Sequence, residues 1–164
     1  MIESIQISPD LEMNMTLDKN AFVIVVDDDD MYLRMLTFMI RRAGVGRVEA
    51  FSNVEEAFTR AIERRPDVIV SDWNMDPTDG LEFLKMVRAN ERLAHTPFIM
   101  ATANVAEDYW RRAIEAGATD FLFKPLGMKE IYEAVRGALL LDDGRERPDG
   151  PTRRRRARGG ATSP

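Results

Sequence analysis

The sequence predicts an α/β protein in which an open parallel sheet carries helices on both faces. Three observations predict it. Five short runs rich in β-branched and aromatic residues recur between residues 22 and 123. Each is followed by a segment whose apolar residues recur at helical spacing. Some of the runs are apolar at every position, as strands covered on both faces are.

The elements follow in order. FVIVV (22–26) is a continuous apolar run and reads as a strand buried on both faces. Residues 30–43 put Met31, Met35, Met39 and Ala43 on one helical stripe, joined by Leu36 and Ile40; Gly44 and Gly46 end it. RVEAF (47–51) is a weaker strand. Asn53, with Glu56 three residues on, reads as a capping box for a helix carrying Val54, Ala57, Phe58, Ala61 and Ile62, which Pro66 stops. DVIVS (67–71) is the third strand, and Leu81, Leu84 and Val87 mark the third helix. PFIMA (97–101) is the fourth strand. Asn104 with Glu107 predicts a second cap, opening a helix that ends at Gly117. TDFLF (119–123) is the fifth strand, and Met128, Ile131, Val135, Ala138 and Leu139 make the fifth helix.

Composition narrows the chemistry. The chain has 164 residues, no cysteine and one histidine. No disulfide framework, thiolate metal site, cysteine nucleophile or imidazole cluster is available. The absence of cysteine also fits a reducing compartment. No run approaches ~18 uninterrupted apolar residues. The first residues have neither a basic start nor an apolar run, so they do not read as a secretion signal. A cytoplasmic location is expected. Charge is unevenly placed. Residues 142–164 hold seven arginines against four acids, so the body is more acidic than the whole chain's net −5. Three regions are expected: an irregular N-terminal extension over 1–20, one folded domain over 21–141, and a flexible arginine-rich tail over 142–164, too poor in apolar residues to order itself.

In open α/β sheets the ligand sits outside the carboxyl ends of the strands. There the sequence places Asp27, Asp28, Asp29 and Asp30 after the first strand, and Asp72, Trp73, Asn74 and Met75 after the third. Thr102, Ala103 and Asn104 follow the fourth strand, and Lys124 and Pro125 the fifth. Periodicity does not give the strand order, but a switch point at the first strand would bring these ends together. Clustered carboxylates repel unless a cation separates them. An oxygen-only donor set favours a hard cation, Mg²⁺ first. With it, Asp72 could stay ionised and attack phosphorus, with Lys124 and Thr102 balancing and hydrogen-bonding the phosphoryl oxygens. Asp29 and Asp30 read as helix N-terminal charges. Trp73 reads as a partly exposed aromatic, His95 as a surface residue, and most methionines as core filler.

VIVVDD (23–28), VIVSDWNM (68–75) with Asp79–Gly80, ATA (101–103) and FLFKP (121–125) occur in that order over residues 22–140. Together they resemble a response-regulator receiver domain of the stand-alone chemotaxis type. The resemblance implies a flavodoxin-like, doubly wound five-stranded sheet of order 2-1-3-4-5. It implies Asp72 as phosphoacceptor, with Mg²⁺ held by Asp28, Asp72 and the Asn74 backbone carbonyl, and by Asp27 mostly through water. It further implies Thr102 and Lys124 as phosphoryl contacts, Thr102 and Phe121 as the switch pair, and Asn74 and Asn104 as residues that tune the aspartyl-phosphate lifetime. A sensor histidine kinase or phosphotransfer protein would be the donor. A flagellar switch component or a kinase would be the output partner, met through the fourth helix, fifth strand and fifth helix. The sequence departs from the family pattern after Met75, where Asp76 precedes Pro77, and at Phe121, which lacks the hydroxyl of tyrosine.

Two further readings arise. The run RRRRAR (153–158) resembles the arginine-rich extension of chemotaxis-like regulators that bind cyclic di-GMP, which makes Arg153, Arg154, Arg155, Arg156 and Arg158 candidate nucleotide contacts. An Asp-nucleophile phosphatase of the haloacid dehalogenase type would instead place the nucleophile after the first strand. There Met31 departs from that family's pattern, and Pro125-Leu126-Gly127 follow Lys124 without the further acids it needs. A DNA-binding output is not expected, since the tail has no helical periodicity.

Overall fold

The computed structural model describes residues 16–141. Residues 1–15 of the expected extension and the tail 142–164, with its nucleotide reading, lie outside the described residues. Five strands and five helices alternate: β1 (Phe22–Val26), α1 (Asp30–Arg42), β2 (Arg47–Phe51), α2 (Val54–Arg64), β3 (Val68–Asp72), α3 (Gly80–Ala89), β4 (Phe98–Thr102), α4 (Glu107–Glu115), β5 (Asp120–Phe123) and α5 (Met128–Leu140). The sheet is parallel throughout, in the order β2-β1-β3-β4-β5. This is the flavodoxin-like arrangement the resemblance implies.

Side chains alternate across a strand, so each inner strand feeds two cores. Val23, Val25, Val70 and Ile99 point to one face, where they meet Leu36 and Ile40 of α1 and Ile131 and Val135 of α5. Ile24, Val26, Ile69 and Met100 point to the other, against Ala57 of α2, Phe83 and Leu84 of α3, and Ala113 of α4. The packed body begins upstream of residue 21. Leu17 is buried in the first core, and its N–H donates to the Ala43 carbonyl at the end of α1 (2.7 Å).

β3 and β4 end one residue later than their runs suggest, so Asp72 and Thr102 are their last residues. Two further expectations are corrected. Of the expected α1 stripe, Leu36, Ile40 and Ala43 are buried, but Met35 and Met39 are only half-buried and Met31 is 74% exposed; Leu33 and Thr37 complete the buried face. The expected stripe and the buried face both have helical period, and only the sheet's position decides between them. Asn104 does not cap α4. Its Oδ1 accepts from the Ala106 N–H (3.0 Å) in a local turn, and Ala106, which has no side-chain acceptor, holds the N-cap position. Asn53 does cap α2, accepting from the Glu56 N–H. Gly44, at φ +95°, ends α1 in a conformation that favours glycine. No helix among the described residues is long and apolar enough to cross a membrane.

Candidate functional site

Strand order makes the site. β1 lies between β2 and β3, so the chain leaves β1 and β3 toward opposite sides and opens a crevice at their carboxyl ends. Asp27 continues β1, its N–H donating to the Phe51 carbonyl (3.2 Å), and its side chain is fully buried. Asp28 is exposed. Asp72 ends β3 opposite Ala101, and its carboxylate is nearly buried. Carboxylate oxygens of Asp27, Asp28 and Asp72 lie within 4.8 Å of one another.

Lys124 enters from the far side. Its N–H donates to the Thr102 carbonyl (2.8 Å), which sets where its side chain starts. Its Nζ reaches Asp27 Oδ2 at 2.7 Å and Asp72 Oδ1 at 3.3 Å, with 11% of the side chain exposed. Burial raises the Asp72 carboxyl above the ordinary aspartate range, and the charge of Asp27 pushes the same way; Lys124 and the Trp73 N–H pull it back without cancelling. Burial works against the Lys124 ammonium, but Asp27 and Asp72 outweigh it and hold its pKa above the ordinary lysine value. Lysine is therefore charged at neutral pH, one cation among three carboxylates. An oxygen-only donor set with uncompensated negative charge fits a hard divalent cation.

The remaining predicted residues gather at the same edge. Thr102 is buried, and its Oγ1 accepts from the Asn104 N–H (3.2 Å). Asn74 is exposed and lines a cleft of about 460 Å³ beside Asp28, with Met75, Asp76, Asp79, Tyr109 and Arg112. Phe121 is half-buried in an aromatic row, edge-on to Trp73 (6.4 Å between ring centroids) and to Phe123 (5.2 Å). His95 is exposed, as expected. Asp29 is the N-cap of α1, accepting from the N–H groups of Met31 and Tyr32, and Asp30 lies in its first turn.

Trp73 corrects its expectation: it is 4% exposed. Tyr109 from α4 packs 4.7 Å from it, and the Arg112 guanidinium lies 5.5 Å from its ring centroid. Sequence reading missed Tyr109, Arg112 and Tyr32, because each meets the site across the fold with no local signal. Gly80 was legible only through resemblance. A Cβ there would sit 2.1 Å from the Asp72 carbonyl oxygen, so a side chain would displace the backbone of Asp72 itself.

Comparison with known proteins matches the chain to one family. The response regulator receiver domain family matches residues 23–136. The chemotaxis protein CheY-3 of Vibrio cholerae is 30% identical over 123 residues, which are 75% of this chain and 95% of that protein. The phosphate regulon transcriptional regulatory protein PhoB of Pseudomonas aeruginosa is 30% identical over 117 residues, and the chain spans only 51% of its length. Among solved structures, the chemotaxis response regulator CheY4 of Vibrio cholerae superposes with a TM-score of 0.68 at 32% identity, covering 73% of this chain and 99% of that one. A two-component response regulator from Clostridium difficile shares the fold, with a TM-score of 0.67 at 22% identity, over 73% of this chain and 96% of that one.

Proposed function

The chain belongs to the response regulator receiver domain family, and from that premise we propose that it is a signalling phosphoacceptor which takes a phosphoryl group onto Asp72. One observation carries the reading: the Lys124 ammonium bridges Asp27 and Asp72 inside a triad of converging carboxylates. Asp72 Oδ attacks phosphorus as the phosphorus–nitrogen bond of a phosphohistidine breaks, and the electron pair leaves with the imidazole. Lys124 balances charge on the transferred oxygens, and the Thr102 hydroxyl donates to one of them. Mg²⁺, held by Asp27, Asp28, Asp72 and the Asn74 carbonyl, would supply the remaining charge compensation. Asn74 and Asn104 flank the acceptor and set how readily water reaches the acyl phosphate. The protein is not a turnover enzyme: its product is its own phosphorylated state.

Output follows through protein contact. Val105 before α4, Trp110 and Ile114 on it, and Phe123 on β5, which packs edge-on against Phe121, are exposed apolar residues. Such a patch suits a partner whose affinity depends on how Thr102 and Phe121 are set. A sensor kinase or phosphotransfer protein would be the donor, and a motility component or a kinase the target.

Beryllofluoride with Mg²⁺ tests the reading. In a Trp110→Phe background Trp73 is the only tryptophan. Its emission is expected to change on addition, and Asp72→Asn should abolish both that response and phosphoryl uptake by mass. A folded wild type that shows no Mg²⁺-dependent response would defeat the proposal. Retained phosphorylation in Asp72→Asn would favour a nucleophile after β1, as in the phosphatase reading.

A further inference from the structure

Lys124 has a third partner besides the carboxylates of Asp27 and Asp72. Its Nζ lies 3.9 Å from the centroid of the Tyr32 ring. Two residues on, the Leu126 N–H donates to Tyr32 Oη at 3.3 Å. The tyrosine is itself fixed, because its N–H donates to Asp29 Oδ1 (3.0 Å) and the Asp29 N–H donates to Asp27 Oδ1 (2.9 Å). The contacts close a circuit: Asp27 to Asp29, Asp29 to Tyr32, Tyr32 to Lys124, and Lys124 back to Asp27 at 2.7 Å.

The geometry points to Tyr32 as a positioning residue for phosphoryl transfer: its ring face braces the Lys124 ammonium while its hydroxyl pins the chain that follows. The inference rests on Asp72 being the phosphoacceptor. Its physical reason lies in how each contact depends on charge. The carboxylates hold the ammonium only while their charge is free. A cation shared by Asp27 and Asp72 competes for the same oxygens, and a phosphoryl group on Asp72 removes one carboxylate outright. The attraction of a ring face for an ammonium survives both events, because the ring is uncharged. Lys124 thus keeps one partner throughout the reaction. A tyrosine that merely filled space would be replaceable by leucine.

Wild type, Tyr32→Phe and Tyr32→Leu separate these roles, all in the Trp110→Phe background. Phosphorylation by phosphoramidate with Mg²⁺ is followed through Trp73 emission and the mass of one added phosphoryl group. Without any cation, NMR reads the ring-current shift of the Lys124 ε-methylene protons and the exchange rate of the Leu126 amide. Tyr32→Leu is expected to slow phosphorylation about tenfold and to abolish the ring-current shift. Tyr32→Phe should keep that shift, slow phosphorylation about threefold, and exchange its Leu126 amide faster. A folded Tyr32→Leu protein that reacts at the wild-type rate overturns the inference, and so does loss of the shift in Tyr32→Phe. Should Tyr32→Leu fail to fold, the Tyr32→Phe shift and rate decide alone. Wild type that takes up no phosphoryl group would instead overturn the phosphoacceptor reading, while the cation-free shifts still decide whether the ring holds Lys124.

Discussion

At Asp72 two demands conflict. The proposed phosphoryl transfer needs Asp72 ionised, yet burial and Asp27 both favour its protonated form. The folded protein therefore holds the Asp72 proton more tightly than the unfolded chain does. Asp72's share of stability is present at low pH and is lost as pH rises from the ordinary carboxylate value through the raised folded one. Above that window the ionised group strains the site. Asp72→Asn should then raise the neutral-pH melting midpoint by about 3 °C in cation-free buffer. Added Mg²⁺ should reverse the order, because the wild type gains binding energy that the variant lacks. Calorimetry with and without Mg²⁺ checks both halves. The carboxylates, Thr102 and Lys124 were legible because each stands at the end of a recognisable apolar run. Tyr32 was not, since the groups its side chain meets, at Lys124 and Leu126, lie more than 90 residues away in the chain.

Among the helices, α4 is the least anchored. Ala113 is its one buried residue, and its N-cap has no side-chain acceptor. Tyr109 and Arg112 tie it to the sheet by packing on Trp73, the residue that follows Asp72. Tyr109→Ala should speed amide exchange along α4 at least about tenfold and leave the β1 and β3 amides unchanged, as read by hydrogen exchange. Ala106→Ser supplies the missing acceptor at a residue already extended (φ −65°, ψ 133°). It should stabilise the protein by about 1 kcal/mol in chemical denaturation. The sequence suggested a cap at Asn104 because Asn and Glu stand three apart; a turn two residues long consumed the asparagine first. The α1 stripe misled for a related reason. Its Leu36, Ile40 and Ala43 are buried as expected, but its methionines lie at the edge of that face or outside it, so periodicity finds the helix without fixing its rotation about its axis.

The whole molecule is two cores built on one sheet. Ile24 and Val25 are neighbours on β1, yet they pack into opposite cores. Ile24→Ala and Val25→Ala should each cost about 3 kcal/mol. Because the strands are shared, Trp73 fluorescence and far-UV circular dichroism should still give coincident midpoints in both variants. Separate midpoints would mean that the cores melt independently. Fold class was legible at this scale from five alternating runs, whereas strand order came only through resemblance, since no residue pattern says which strand takes the centre. Sequence order, by contrast, governs when the site is completed during synthesis. Ninety-seven residues separate Asp27 from Lys124. A ribosome adding about 5–20 residues per second lays down the acids roughly 5–20 s before the lysine. For that interval the nascent chain carries carboxylates with no ammonium to join them. The site is closed by its last-made member, so a chain interrupted after β4 holds the carboxylates of Asp27, Asp28 and Asp72 but lacks the ammonium that joins Asp27 to Asp72.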